Sequence, residues 1–167
     1  MSYSTKNSRI GTPSNLEEGG TYDLLMIRYP DGFPEGKLLF DIDMTPRKVT
    51  GLQKVGQTFL KVLMTSKGSN VIYPMQGTNF PSIALSSNIT RDRSVLYSEV
   101  VSSLRDAESQ VKSILNTKGT DKASMLRRID IIRLDVGVDS IVLYVSLETE
   151  DGTSANIAVP FPETDLQ

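Results

Sequence analysis

Two pairs of carboxylates stand at spacings that could serve acid–base or metal chemistry. Asp41 and Asp43 lie two residues apart at the end of a strand-like segment, and Glu148 and Glu150 repeat that spacing near the C-terminus. In extended backbone such pairs project to one side, where they could hold a divalent cation or relay a proton. Glycoside hydrolysis asks for more: two carboxyl groups facing each other across the scissile bond, one with a raised pKa. Both pairs are local and sit on polar segments, so the sequence favours solvated strand ends and gives no warrant for hydrolysis. The stretch from Gly68 to Gly77 has glycines at both ends. It lacks the spacing and the Lys-Ser/Thr pair of a phosphate-binding P-loop, and reads as a helix-to-strand connector.

The absences are sharper. The 167 residues include no Cys and no His. Disulfides, thiolate nucleophiles and cysteine metal sites are therefore excluded, as is the Ser-His-Asp constellation. The commonest general base and metal ligand goes with the missing His. No catalytic residue, metal site or cofactor is expected. Hydrophobic residues make up 38% of the chain, a share below that of most compact domains. The length suits one domain and is too short for two. Net charge is −2 and pI is near 5.2, with the charges interspersed, so nothing basic enough for nucleic acid or an anionic membrane stands out. No apolar run approaches the roughly 18 residues of a spanning helix. Met1-Ser2-Tyr3-Ser4 does not open a signal peptide, and a soluble protein, cytoplasmic when made, is expected.

The elements that must position any site follow from period and punctuation. Residues 1–20 carry almost no apolar content and read as a flexible N-terminal arm that orders on a partner. The folded domain is expected over 21–162, with 163–167 a C-terminal tail. Tyr22 to Tyr29 is a strand candidate. Turn chemistry at Pro30 to Gly36 follows, and Lys37 to Ile42 returns as its hairpin partner. Thr45-Pro46 predicts a helix start, with Leu52, Val55, Phe59, Leu60 and Leu63 on one face. Gly68 should stop that helix, and Val71-Ile72-Tyr73 should make a short strand before Pro74. A brief helix opened by Pro81-Ser82 fits between Phe80 and Ile89.

A second long helix is predicted from Asp92 to Asn116, about 25 residues or roughly 37 Å. Its apolar residues are Val95, Leu96, Val100, Leu104, Ala107, Val111, Ile114 and Leu115; its polar face includes Ser98, Ser102, Ser103, Arg105, Ser109 and Lys112. Strands follow at Leu126 to Val136, Ser140 to Glu150 and Ala155 to Val159. Asp151-Gly152 reads as a two-residue hairpin turn, and Pro160 and Pro162 as the end of the last strand. The expectation is an α+β fold: an antiparallel sheet with two long helices packed on one face, plus the extended N-terminal arm.

Three further features could carry binding. Gly51 and Gly56 inside the first helix signal either close approach of another helix or backbone, or tolerated imperfection. Arg127 and Arg128, with Lys122 and Arg133 nearby, form the densest basic cluster, either gripping an acidic partner or simply solvated. The strand Asn156-Ile157-Ala158-Val159 closes a meander, so its outer edge could accept another chain's strand, unless its prolines protect it.

The order helix, glycine stop, short strand, proline, glycine resembles the baseplate wedge family of contractile phage tails. The likeness runs from about Tyr22 to Val159. Thr45 to Met64 looks like the family's first long helix and Asp92 to Asn116 like its second. Leu126 to Val159 looks like its closing strands. Thr65, Gly68, Pro74 and Gly77 fall on the family's threonine, turn glycine, proline and second glycine. Family members often carry Glu-Pro-Arg before the first closing strand, at the contact with the helical core bundle of the wedge. Here Leu126-Arg127-Arg128-Ile129 keeps only the arginine, at Arg128, which implies an altered contact. Some members are labelled tail lysozymes, an activity that does not carry over without an opposed carboxylate pair.

The resemblance implies a structural subunit of the virion's tail baseplate, made in the host cytoplasm and present in several copies of a symmetric assembly. Its partners would be other wedge proteins, the tail sheath protein and tube or hub proteins, with no nucleic acid and no membrane. Arg127 and Arg128 would meet the wedge; Asn156, Ile157, Ala158 and Val159 would form the edge that starts the sheath by strand pairing. Two alternatives differ in kind. One is the equivalent subunit of a bacterial contractile injection or secretion system; the other is a cell-wall glycan hydrolase.

Overall fold

Ile141, Leu143, Val145 and Leu147 are buried and alternate with half-buried Val142, Tyr144, Ser146 and Glu148. This period of two puts one face of a strand into a core. The computed structural model describes residues 48–85, 92–137 and 140–162, with the paired backbone segments Asp23–Leu24, Ile27–Arg28 and Leu39–Phe40. The expected arm at 1–20, the tail at 163–167, the Pro30–Gly36 turn, Asp41, Asp43, Thr45 and Pro46 lie outside the described residues.

The strand just described is β6 (Ser140–Thr149), the centre of an antiparallel sheet ordered β5 (Leu126–Val136), β6, β7 (Ser154–Pro162). Helices α1 (Gly51–Met64) and α3 (Arg93–Leu115) pack together on one face of it, with the short α2 (Phe80–Leu85) against both. One contiguous core joins Phe59 and Leu63 of α1, Val100 and Val111 of α3, and Leu143, Val145 and Val159 of the sheet. The fold is α+β with two long helices on one face of an antiparallel sheet.

Short backbone pairs precede this frame. β1 (Asp23–Leu24) pairs antiparallel with β4 (Lys48–Val49), and β2 (Ile27–Arg28) with β3 (Leu39–Phe40). The second pair joins parts of the two segments expected to form a hairpin, whereas Asp23–Leu24 of the first segment pairs with β4 instead.

The first long helix begins later than Thr45-Pro46 predicts. Lys48 and Val49 are strand residues, and the helix opens at Gly51, whose φ of +59° favours glycine. The Gly51 N–H donates to the Ser124 hydroxyl at 2.9 Å, giving one orphan donor of the helix start a partner. Gly56 is a true interior glycine. A Cβ there would lie 3.2 Å from Ile157 Cδ1 and 3.8 Å from Leu147 Cδ1. The close approach is therefore that of sheet side chains, not of another helix or of backbone.

α3 matches its predicted span within a residue at each end. Asp92 caps it, accepting the Ser94 N–H at 3.0 Å. Val95 and Ile114 are exposed at the margins of the stripe, and Ser103, expected on the polar face, is buried. Past the helix, the Asn116 amide accepts the Leu126 N–H at 3.0 Å and donates to the Leu126 carbonyl at 2.9 Å, tying α3 to the start of β5.

Candidate interaction surfaces

The hairpin between β6 and β7 decides which backbone groups face outward. The Thr149 N–H donates to the Thr153 carbonyl and the Gly152 N–H to the Thr149 carbonyl, both at 2.9 Å. With Gly152 at φ +85°, this is a type I turn closed by a bulge, not the predicted two-residue turn. The Asp151 carboxylate supports it, accepting from the Thr149 hydroxyl and from the Thr153 N–H. Those hydrogen bonds, the hydroxyl first, hold Asp151 below the ordinary carboxylate range.

In the register of this hairpin, Ala155, Ile157 and Val159 turn their backbone groups toward β6. Ser154, Asn156, Ala158, Pro160 and Pro162 turn theirs away. Pro160 and Pro162 thus lack an N–H only where β6 needs none. That is why β7 continues through Pro162, two prolines past its expected end. Among the four residues expected at the edge, Ile157 and Val159 are core residues, and Ala158 is buried and has a partner of its own. Asn156 is exposed and faces outward with Ser154.

The opposite flank of the sheet is built differently. β5 meets β6 with register shifts between Leu126 and Arg128 and between Ile131 and Arg133, whereas β6 and β7 pair without a break. Arg127, Arg128, Asp130 and Arg133 are exposed along β5. Bulges and charges guard an edge against adventitious pairing. Arg127 and Arg128 come together on one carboxylate, Glu148, at 2.8 and 2.7 Å, and Asp130 lies 3.1 Å from Arg128. Hydrogen bonding to Glu148, with Asp130 beside it, raises the Arg128 guanidinium above its ordinary value. Arg133 pairs with Asp135 at 3.0 Å and lies 4.3 Å from the centre of the Tyr144 ring.

A third surface was missed by the sequence reading. Val71-Ile72-Tyr73 is not a strand. It belongs to a loop from Thr65 to Thr78 whose apolar side chains point away from the core: Val71 is 95% exposed, Ile72 78%, Tyr73 66% and Met75 72%. The loop is closed by its own backbone. Thr78 N–H donates to the Thr65 carbonyl at 2.8 Å, Lys67 N–H to Thr78 at 3.0 Å and Gly68 N–H to Pro74 at 2.9 Å. The Asn70 carboxamide accepts the N–H groups of Ile72 and Tyr73. That local side-chain bonding replaces a ladder, and Asn70 was the signal available beforehand. Gly77, at φ +101°, fits only as glycine, since a Cβ would stand 2.3 Å from the Thr65 carbonyl oxygen.

Chemistry finds little to work with among the described residues. Glu148 is engaged by two arginines, and Glu150 has left the strand for the turn. A polar cleft of about 250 Å³ between α2 and α3 holds Glu99 and Asp106. Both stand on α3, two turns apart, so they are separated by about 10.5 Å along the axis rather than opposed across it. Lys67 lies 3.8 Å from Asp106. Among the described residues no three acidic side chains gather as metal ligands, and no helix is long and apolar enough to cross a membrane.

Compared with models of known protein families the chain matches none, and no curated protein matches it.

Proposed function

We propose that the protein is a structural subunit of a contractile-tail baseplate wedge, which docks on the wedge scaffold and starts the sheath by strand pairing. The observation that carries this reading is the loop between the two long helices. Thr65, Gly68, Pro74 and Gly77, the four positions that resemble the wedge family, are among the residues that hold the loop together. Thr65 is bonded across to Thr78, Gly68 to Pro74, and Gly77 fits against the Thr65 carbonyl. A short sequence likeness that falls on mutually dependent residues has a physical reason to exist.

The sheet supports the second half of the proposal. Its β5 flank is bulged and charged, while its β7 flank is regular and carries outward-facing backbone groups at Ser154 and Asn156. A strand from a sheath subunit would pair there through main-chain hydrogen bonds, and Pro160 and Pro162 would limit how far it extends. Arg127 and Arg128 would meet an acidic surface of the scaffold.

Asn156→Pro tests the pairing cleanly, because it extends the chain's own alternation of outward-facing prolines and leaves the β6 ladder whole. Complementation of a phage lacking this subunit should yield tubes with baseplates but no sheath, while the purified variant keeps its circular dichroism spectrum. Full-length sheaths on particles carrying Asn156→Pro would overturn the proposal.

A further inference from the structure

We infer that the apolar loop pairs two copies of this chain in solution through a two-fold contact, Val71 of each copy entering a groove on the other. This inference stands on observations separate from the wedge reading. The groove, about 620 Å³, lies between the loop and α3. Ile72, Tyr73 and Met75 form one wall; Ile114, with uncharged Gln110 and Ser113, forms the other. Val71 is outside the groove, on the adjoining tip, and is the most exposed large apolar side chain described.

Shape selects the occupant. Tip and groove are side by side on one surface, so a two-fold axis satisfies both contacts at once, each copy donating its tip and receiving the other's. A head-to-tail ring would need them on separate faces. The loop is already ordered by the bonds of Asn70, Gly68 and Gly77, so little conformational entropy is lost on docking.

Area and charge agree. Side chains of this size carry roughly 150–250 Å² each, so Val71, Ile72, Tyr73, Met75 and Ile114 leave roughly 700 Å² of surface per copy. That exceeds the ~300–600 Å² of the largest patch on most monomers. Complete cover of both patches would bury at most about 1,400 Å², which reaches the ~1,200–2,000 Å² of specific interfaces. A net charge of −2 offers little repulsion between copies.

Sedimentation velocity of the full chain over a concentration series should show a monomer–dimer equilibrium. Val71→Glu should raise its dissociation constant about tenfold or more with an unchanged circular dichroism spectrum. The chain has no Cys, so Val71→Cys and Ile114→Cys each introduce a single thiol. Under mild oxidation by oxidised glutathione, a mixture of the two should form disulfide-linked dimers faster than either alone. A wild-type chain that stays monomeric throughout, a dimer indifferent to Val71→Glu, or a mixture no faster than its components would each overturn the inference.

Discussion

Gln110 and Gly77 form a reciprocal pair: the Gln110 carboxamide accepts the Gly77 N–H and donates to the Gly77 carbonyl, both at 2.8 Å. Asn116 treats Leu126 in the same way one and a half turns further on. Along α3, side-chain amides thus stand in for strand neighbours and satisfy backbone that would otherwise be partly buried and unpaired. Gln110→Ala should lower unfolding stability by about 1–2 kcal/mol, read from the urea midpoint. Gly77→Ala should cost more, because it adds the steric conflict with Thr65 to a strained φ. The reverse ranking would mean that the loop relaxes freely around position 77.

Gly56 sets a second test. Alanine at a helix interior gains roughly 1 kcal/mol over glycine, but here Ile157 Cδ1 must yield a few tenths of an ångström to admit it. Gly56→Ala should therefore be close to neutral alone and clearly stabilising when introduced into an Ile157→Val background. A double-mutant cycle by thermal or urea denaturation measures the coupling. Strict additivity would contradict the packing described.

The acid limb of stability follows from two caps. Asp92 is held below its ordinary value by the Ser94 N–H it accepts, and Asp151 by the Thr149 hydroxyl and then the Thr153 N–H. Because the folded forms bind protons less readily than the unfolded chain, each contribution is complete above the unfolded Asp value of about 3.9. It is lost as the pH falls through the depressed folded values. Asp92→Asn with Asp151→Asn should lower the plateau near neutrality, where both carboxylate contributions are complete, and flatten the decline over that acid window. An identical acid limb in the double variant would assign acid sensitivity to other carboxylates.

Arg127→Glu with Arg128→Glu replaces two pairs on Glu148 with four neighbouring carboxylates, Asp130 included. The arginines are exposed, so the domain should still fold. Incorporation into baseplates should fall several-fold in a complementation assay scored by pull-down of assembled particles. Unchanged incorporation would remove these residues from the wedge contact.

The elements with long periodic patterns were legible beforehand. α3 was readable because Leu96, Val100, Leu104, Ala107 and Val111 recur at three or four residues between an aspartate cap and Asn116. The β6–β7 hairpin was readable because Asp151-Gly152 interrupts two alternating runs, although the turn type depended on Thr149 and Thr153 as well. The start of α1 was misread, since Thr45-Pro46 carries a strong local signal that says nothing of the β1 pairing of Lys48 and Val49. Val71-Ile72-Tyr73 was misread for the opposite reason: its composition suits a strand, but Asn70 accepts the N–H groups of Ile72 and Tyr73 while the Pro74 carbonyl accepts that of Gly68, which folds the segment into a loop. The prolines of β7 read as a stop because a sequence does not say which alternate residues of an edge strand face outward.

The contact of Gly56 with Ile157 sets a schedule for the newborn chain. The helix surface around position 56 acquires its cover only when position 157 has been synthesised, and at about 5–20 residues per second that takes roughly 5–20 s. Until then the helix has at most β5 and β6 to lie on and lacks the Ile157 side chain of β7. A nascent-chain complex stalled before β7 should consequently display this helix to holdase chaperones, and release of the completed polypeptide should end that exposure.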